Sequence, residues 1–148
     1  LRPFALDDLG LPEALRVYIT RWSEHFNIPA DFHTSGFEDI RIAPTAENHL
    51  YRIAQEALNN VAKHSRTSNV EILLERREDD AVLIVEDKGV GMSETPQLNQ
   101  TMGLSGMRER AMLLNGSFEI EFAPNDGTTI FVRIPINSDT AKPGNDDE

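Results

Sequence analysis

The run Ala81-Val82-Leu83-Ile84-Val85 constrains the fold more than any other stretch of this chain. A continuous apolar run of this length reads as a strand buried on both faces. It breaks off into Glu86-Asp87-Lys88-Gly89-Val90-Gly91. An acid at the mouth of a buried strand has few water neighbours and must find a hydrogen-bond donor. Glycines two apart let the backbone turn tightly and let a ligand come close. Asp87 could accept from an amino group while Gly89 and Gly91 admit a flat ring, which would suit a purine. The same letters also describe a strand end followed by an ordinary turn, because Asp and Gly are common turn residues.

The chain has 148 residues, a length that suits one domain. Its 14 basic residues against 25 acidic ones give a formal net charge of -11. That balance argues against general binding to nucleic acid or to an anionic membrane. It leaves room for a nucleotide, which needs a few local donors and usually a metal ion. With no cysteine, disulfides and thiolate metal sites are excluded. The four histidines show no zinc spacing. No apolar run approaches the ~18 residues of a membrane span, and no signal peptide is visible. The chain opens at Leu1 rather than Met and is expected to be a fragment of a longer protein.

Hydrophobic periodicity predicts the elements. Leu11, Leu15, Tyr18, Ile19, Trp22 and Phe26 have helical spacing, with Asp7 or Asp8 as a cap, Pro12 early in the helix and a stop near Asn27. Ala30 to Ser35 could be an edge strand. Thr45 is a candidate N-cap for a helix running to about Ser65, with Glu47 in its first turn. Leu50, Ile53, Ala54, Ala57, Leu58 and Val61 form a clean i, i+3, i+4, i+7 stripe on it. Val70 to Arg76 and Ala81 to Glu86 read as a hairpin. Ser93 to Thr101 is a polar loop with Pro96. A helix from about Leu104 to Leu114 stops at Asn115-Gly116. Ser117 to Phe122 and Thr128 to Ile136 alternate as a second hairpin across a turn at Pro124 to Gly127. The fold class is therefore α/β (α+β), a two-layer sandwich. Its mixed, largely antiparallel sheet is covered on one face by about three helices.

Glu56, Asn60 and His64 stand at i, i+4, i+8, so they line up opposite the apolar stripe, with Asn59 and Lys63 beside them. Adjacent Asn residues are poor helix formers and look costly on a merely solvated face. A carboxylate there can orient or deprotonate an attacking group. An Asn oxygen suits magnesium, and a Lys suits phosphate. An ordinary wet helix face with incidental Asn and His remains the simpler alternative. Gly103 and Gly106 open a helix whose exposed backbone N–H groups favour an anion. They also suit a plain loop-to-helix joint. Thr128 could bond a ligand, although Thr is a common strand residue.

In combination these motifs resemble the GHKL ATPase superfamily. The signature reads Glu56-Ala-Leu-Asn-Asn60, Asp87-Lys-Gly-Val-Gly91, Gly103-Leu-Ser-Gly106 and Gly127-Thr128. Within it the chain resembles the catalytic ATP-binding domain of bacterial sensor histidine kinases. The stretches Leu1-Arg-Pro-Phe-Ala-Leu-Asp-Asp-Leu-Gly-Leu11, Gln55 to His64 and Gly103 to Arg110 resemble the nitrate/nitrite-sensor-like group.

The resemblance implies a Bergerat fold, ATP as substrate and Mg²⁺ as cofactor. It implies that Asp87 takes the adenine amino group, with Gly89, Gly91 and Met92 around the ring and Thr128 supporting it. Asn60 would hold Mg²⁺, Glu56 would help position or activate the phosphoacceptor, Asn59 and Lys63 would lie near phosphate, and His64 would belong to the same nucleotide-binding helix motif. Gly103, Leu104, Gly106 and Met107 would form the hinge and phosphate end of a lid spanning Met92 to Met102. The implied reaction transfers the γ-phosphoryl group of ATP to a histidine on a dimerisation domain. None of His25, His33, His49 and His64 stands in a phosphoacceptor context, so that domain is expected outside this sequence. The implied partners are the parent protein's own dimerisation domain and a response regulator with a helix-turn-helix output domain. No direct nucleic-acid contact is implied. The fragment is expected to be monomeric and cytoplasmic, whether or not the parent is anchored in a membrane. The expected organisation is a joint over residues 1–10, an ATPase domain over 11–136 and a disordered acidic tail over 137–148. Alternatives are another ATPase of the superfamily, such as an anti-sigma-factor serine kinase, or a nucleotide-binding module without kinase activity.

Overall fold

The computed structural model describes residues 4–65, 67, 69–89, 103–123 and 127–136. The loop and tail expected over Met92 to Met102, 124–126 and 137–148 lie outside these residues.

A five-stranded sheet organises the chain. Its strands are β1 (Ala30–Ser35), β2 (Val70–Arg77), β3 (Asp80–Asp87), β4 (Ser117–Ala123) and β5 (Gly127–Pro135). They lie in the order β1-β2-β3-β5-β4, with only β1 and β2 parallel. The mixed, mainly antiparallel sheet and its one-sided helical layer bear out the expected fold class. β3 is the central strand, as its apolar run required. Ala81, Leu83 and Val85 are buried in the core, and the next pleat positions put Val82 and Ile84 on the opposite face. Val82 is buried there as well, and Ile84 is half-buried.

Four α-helices are described rather than three: α1 (Phe4–Leu9), α2 (Leu11–Phe26), α3 (Pro44–Asn60) and α4 (Leu104–Leu113). A π-helical turn, Val61–Ser65, continues α3. α1 occupies most of the expected joint, so Asp7 and Asp8 lie inside a helix. The residue that caps α2 is Gly10, without a side-chain hydrogen bond. α2 buries Leu11, Leu15, Ile19 and Trp22 and ends at Asn27 in the left-handed conformation. Phe26 closes the predicted stripe but is exposed, stacked edgewise on His25 and tilted against Trp22.

α3 buries its entire predicted apolar stripe. Its start differs from expectation: the N-cap is Ala43, and Thr45 lies inside the first turn. Pro44, with its fixed φ and missing N–H, suits the first helical position and sets the boundary there. Glu47 does more than complement the helix dipole. It is buried, and Arg41 donates to both of its oxygens at 3.0 and 3.1 Å while also reaching the Leu6 carbonyl. One guanidinium thus ties α1 to the start of α3.

Candidate functional site

The register of the sheet builds one end of the site. β3 and β5 pair so that Asp87 stands directly opposite Thr128. Both are buried, although each sits at a strand end. Gly89 donates its backbone N–H to Asp87 Oδ1 at 2.8 Å. The backbone of Thr128 also bonds the Asp87 carboxyl. Burial raises the Asp87 pKa, the two backbone bonds lower it, Glu86 raises it, and the net direction is upward. The Thr128 hydroxyl is buried with no hydrogen-bond partner among the described residues. A buried hydroxyl without a partner is costly, so one aimed at a slot points to something that completes it. Gly127 makes the pairing possible. Its φ is 86°, and a Cβ there would stand 2.2 Å from the Asp87 carbonyl oxygen.

A narrow cavity of about 10 Å³ separates this strand pair from α3. Ala57, Asn60, Val61, Val85, Asp87, Thr128 and Ile130 line it. As it stands the slot is too small to enclose a purine. Asn60 was expected opposite the apolar stripe. Instead it is 5% exposed and shares a helix face with Ala57 and Val61. The end of α3 overhangs the strand ends, so a polar residue can face the sheet there without entering the core.

The other end of the site is larger. A cavity of about 440 Å³ is lined by Tyr18, Arg52, Gln55, Glu56, Asn59, Gly103, Gly106, Met107 and Arg110. It lies between α2, α3 and α4, and α3 forms the wall common to both cavities. Glu56 touches the start of α4: a Cβ on Gly103 (φ 67°) would meet its Oε2 at 2.6 Å. Glu56 also acts on Tyr18. Burial first, then Tyr51 and Glu56, push the Tyr18 phenol above its ordinary pKa. Arg110 Nη1 lies 3.0 Å from His49 Nδ1. Burial and then the Arg110 charge lower the His49 pKa, so the ring is neutral and its Nδ1 can accept.

The residues predicted from sequence fall into four sets. Glu56, Asn59, Asn60, Asp87, Gly103, Gly106, Met107 and Thr128 line one of the two cavities. Gly89 is buried beside Asp87. Leu104 is a core residue, and Lys63 is exposed on the π turn, so neither lines a cavity. Gly91 and Met92 lie outside the described residues, as does the side chain of His64. The backbone of His64 belongs to the π turn, which winds differently from the α spacing that aligned it with Glu56 and Asn60.

Sequence reasoning missed Tyr18, Arg52, Gln55 and Arg110. Tyr18 read as part of the apolar stripe of α2. Arg52 carried a usable signal, because it precedes Glu56 by four residues and so shares its face of α3. Arg110 shares a face with Gly106 by the same rule.

Residues 45–138 match the family model described as "Histidine kinase-, DNA gyrase B-, and HSP90-like ATPase". The chain is 39% identical over 139 residues to the signal transduction histidine-protein kinase/phosphatase DegS of Brevibacillus brevis, covering 94% of this chain and 36% of that protein. It is 38% identical over 137 residues to the oxygen sensor histidine kinase NreB of Staphylococcus carnosus, covering 92% and 39%. The chain thus spans little more than a third of the length of these relatives. The fold matches the histidine kinase domain of a blue-light activated histidine kinase of Erythrobacter litoralis with a TM-score of 0.70, at 16% identity over 85% of this chain and 61% of that one. The resemblance to sensor histidine kinases is therefore borne out, and the chain belongs to the histidine kinase-, DNA gyrase B- and HSP90-like ATPase family.

Proposed function

We propose that this chain is the ATP-binding catalytic domain of a two-component sensor histidine kinase. In this reading it transfers the γ-phosphoryl group of ATP to a histidine on a dimerisation domain elsewhere in the parent protein. A response regulator with a helix-turn-helix output domain would take the phosphoryl group onward. The domain would work in the cytoplasm, and among the described residues no helix is long and apolar enough to cross a membrane.

One observation carries the reading: a single helix, α3, walls both a slot ending in buried Asp87 and a larger cavity holding Glu56. The slot offers an acid and an unpartnered hydroxyl, suited to the amino edge of adenine. The cavity offers glycine-exposed backbone and cationic side chains, suited to phosphates. Asn60 lines the slot, and its neighbour Asn59 lines the larger cavity. Its amide oxygen is a hard ligand of the kind magnesium accepts. Among the described residues no three carboxylates, histidines or cysteines gather to hold a metal, so the ion would rest on Asn60 and on phosphate oxygens. Bound there, magnesium would supply positive charge against the phosphates.

In the transfer itself, a nitrogen of the acceptor imidazole bonds the γ-phosphorus. The bond from that phosphorus to the bridging oxygen breaks, and ADP leaves with its electron pair. Glu56 accepts the proton that the imidazole releases. The chain's part is mainly positioning and electrostatics.

Calorimetric titration of ATP with Mg²⁺ tests the adenine end. Asp87→Asn replaces an acceptor by a group that is partly a donor, so affinity should fall about tenfold or more. Equal affinity in the two proteins would remove Asp87 from the adenine site.

A further inference from the structure

Resting on the kinase reading, we propose that Arg110, positioned by His49, acts with Arg52 to bind the terminal phosphoryl group of ATP.

The larger cavity draws cationic side chains from two helices, Arg52 from α3 and Arg110 from α4. This is selective in a chain of net charge -11. Among the described residues lining that cavity, Glu56 is the one acid. Planar guanidinium groups match phosphate oxygens two at a time and stay charged at any working pH. The cavity also adjoins the glycine-rich start of α4, so it suits an anion more than a neutral ligand.

The partner of Arg110 sharpens the assignment. Elsewhere among the described residues, Arg16, Arg41, Arg77 and Arg133 each pair with a carboxylate. A carboxylate orients a guanidinium but cancels its charge. His49 orients Arg110 as a neutral acceptor, with its pKa held down by burial and by Arg110. The charge of Arg110 therefore remains available to an incoming anion. Arg52 donates from Nη1 to Gln55 Oε1 at 3.0 Å, which holds it on the same wall of the cavity. Glu56 on the same cavity would face the acceptor imidazole, while the arginines meet the phosphoryl group that moves towards it. His49 is thus a positioning residue, acting through Arg110.

The test compares affinities for ATP and ADP, each with Mg²⁺, in the whole chain. The quantity read is the ratio of the two, which a general loss of structure does not move selectively. The unsubstituted chain should prefer ATP. Arg110→Ala and Arg52→Ala should each weaken ATP about tenfold while changing ADP less than about twofold. His49→Leu should lower the ratio part of the way, and His49→Asn, which keeps an acceptor near the Nδ1 position, should restore it. Circular dichroism checks folding, and Arg110→Gln serves if the alanine variant does not fold. An unchanged ratio in both arginine variants overturns the proposal, as do equal losses for ATP and ADP or an unsubstituted chain without preference. A ratio untouched by His49→Leu removes His49 alone. A chain that binds neither nucleotide overturns the kinase reading itself.

Discussion

Asp87 is a buried acid whose surroundings disagree about its charge. Burial, its largest influence, raises the pKa, while the backbone donors of Gly89 and Thr128 favour the ionised form and only partly offset it. The pKa in the folded chain therefore lies above the unfolded one. Between those two values the native state holds more protons, so stability falls as pH rises through that window, and the penalty is complete above the folded pKa. Ligand binding runs in the opposite direction. An adenine amino group needs a lone pair, and protonation occupies one on the carboxyl group. Affinity for adenosine, which carries no phosphate to titrate, should fall as pH drops through the raised pKa, while Asp87 is still the acid losing its charge. In Asp87→Asn the adenosine affinity should be low and flat across the same range. Titrations of both proteins from neutral pH towards the ordinary carboxylate range decide the point. Parallel curves would mean that Asp87 does not meet the base.

At the level of elements, the start of α4 sets helix stability against access to the cavity. Gly106 lies within the first turn, is exposed, and among the described residues has no atom within 4 Å of where a Cβ would stand. Nothing among the described residues requires glycine there, and glycine costs a helix stability relative to alanine. Gly106→Ala should raise the thermal midpoint, by an amount matching about 0.5 kcal/mol, because the first turn feels propensity less than the interior does. The same methyl group intrudes on the larger cavity and should weaken ATP binding. Thermal melts beside nucleotide titrations test the pair of effects. A variant that is more stable and binds equally well would show that Gly106 merely joins loop to helix. The physics of this segment also explains what was legible in the sequence. The buried stripe of α3, the continuous apolar run of β3 and the alternation of β5 were readable because burial of one face or both imposes a pattern. The capping of α3 was misplaced because Pro44 defines a helix start by geometry, without a side-chain bond. The burial of Asn60 was hidden because it depends on where the end of α3 overhangs the strands, which no local pattern records. Tyr18 and Arg110 were missed for the same reason: each looks ordinary on its own helix and meets the site only through packing between helices.

For the whole molecule, the two cavities imply that holding ATP and using it are separable properties of the domain. Asp87 and Glu56 lie on different cavities with α3 between them. The substrate histidine of the proposed reaction must approach the larger cavity from another part of the parent protein. In keeping with this, the relatives are more than twice as long as the match. Removing Glu56 should therefore leave the adenine contacts intact. It also removes a negative charge from beside the phosphates, so ATP affinity in Glu56→Ala should stay within about twofold of the unsubstituted chain or become tighter. Transfer should respond in the opposite way. Without a carboxylate to accept the imidazole proton, phosphorylation of a supplied dimerisation domain should fall about a hundredfold or more, the usual scale of general-base catalysis. The measurement pairs nucleotide titration with the transfer of labelled phosphate to that domain. Loss of binding in Glu56→Ala would make the carboxylate part of the nucleotide site. Unchanged transfer would remove it from the chemistry. Gly103 supplies an independent check on the same carboxylate. In Gly103→Ala the left-handed φ of 67° strains the new side chain, and its methyl group meets the flexible end of Glu56, so transfer should fall further than nucleotide affinity does. If both variants separate binding from transfer, the domain is an ATP holder whose catalytic edge is completed only by the domain it phosphorylates.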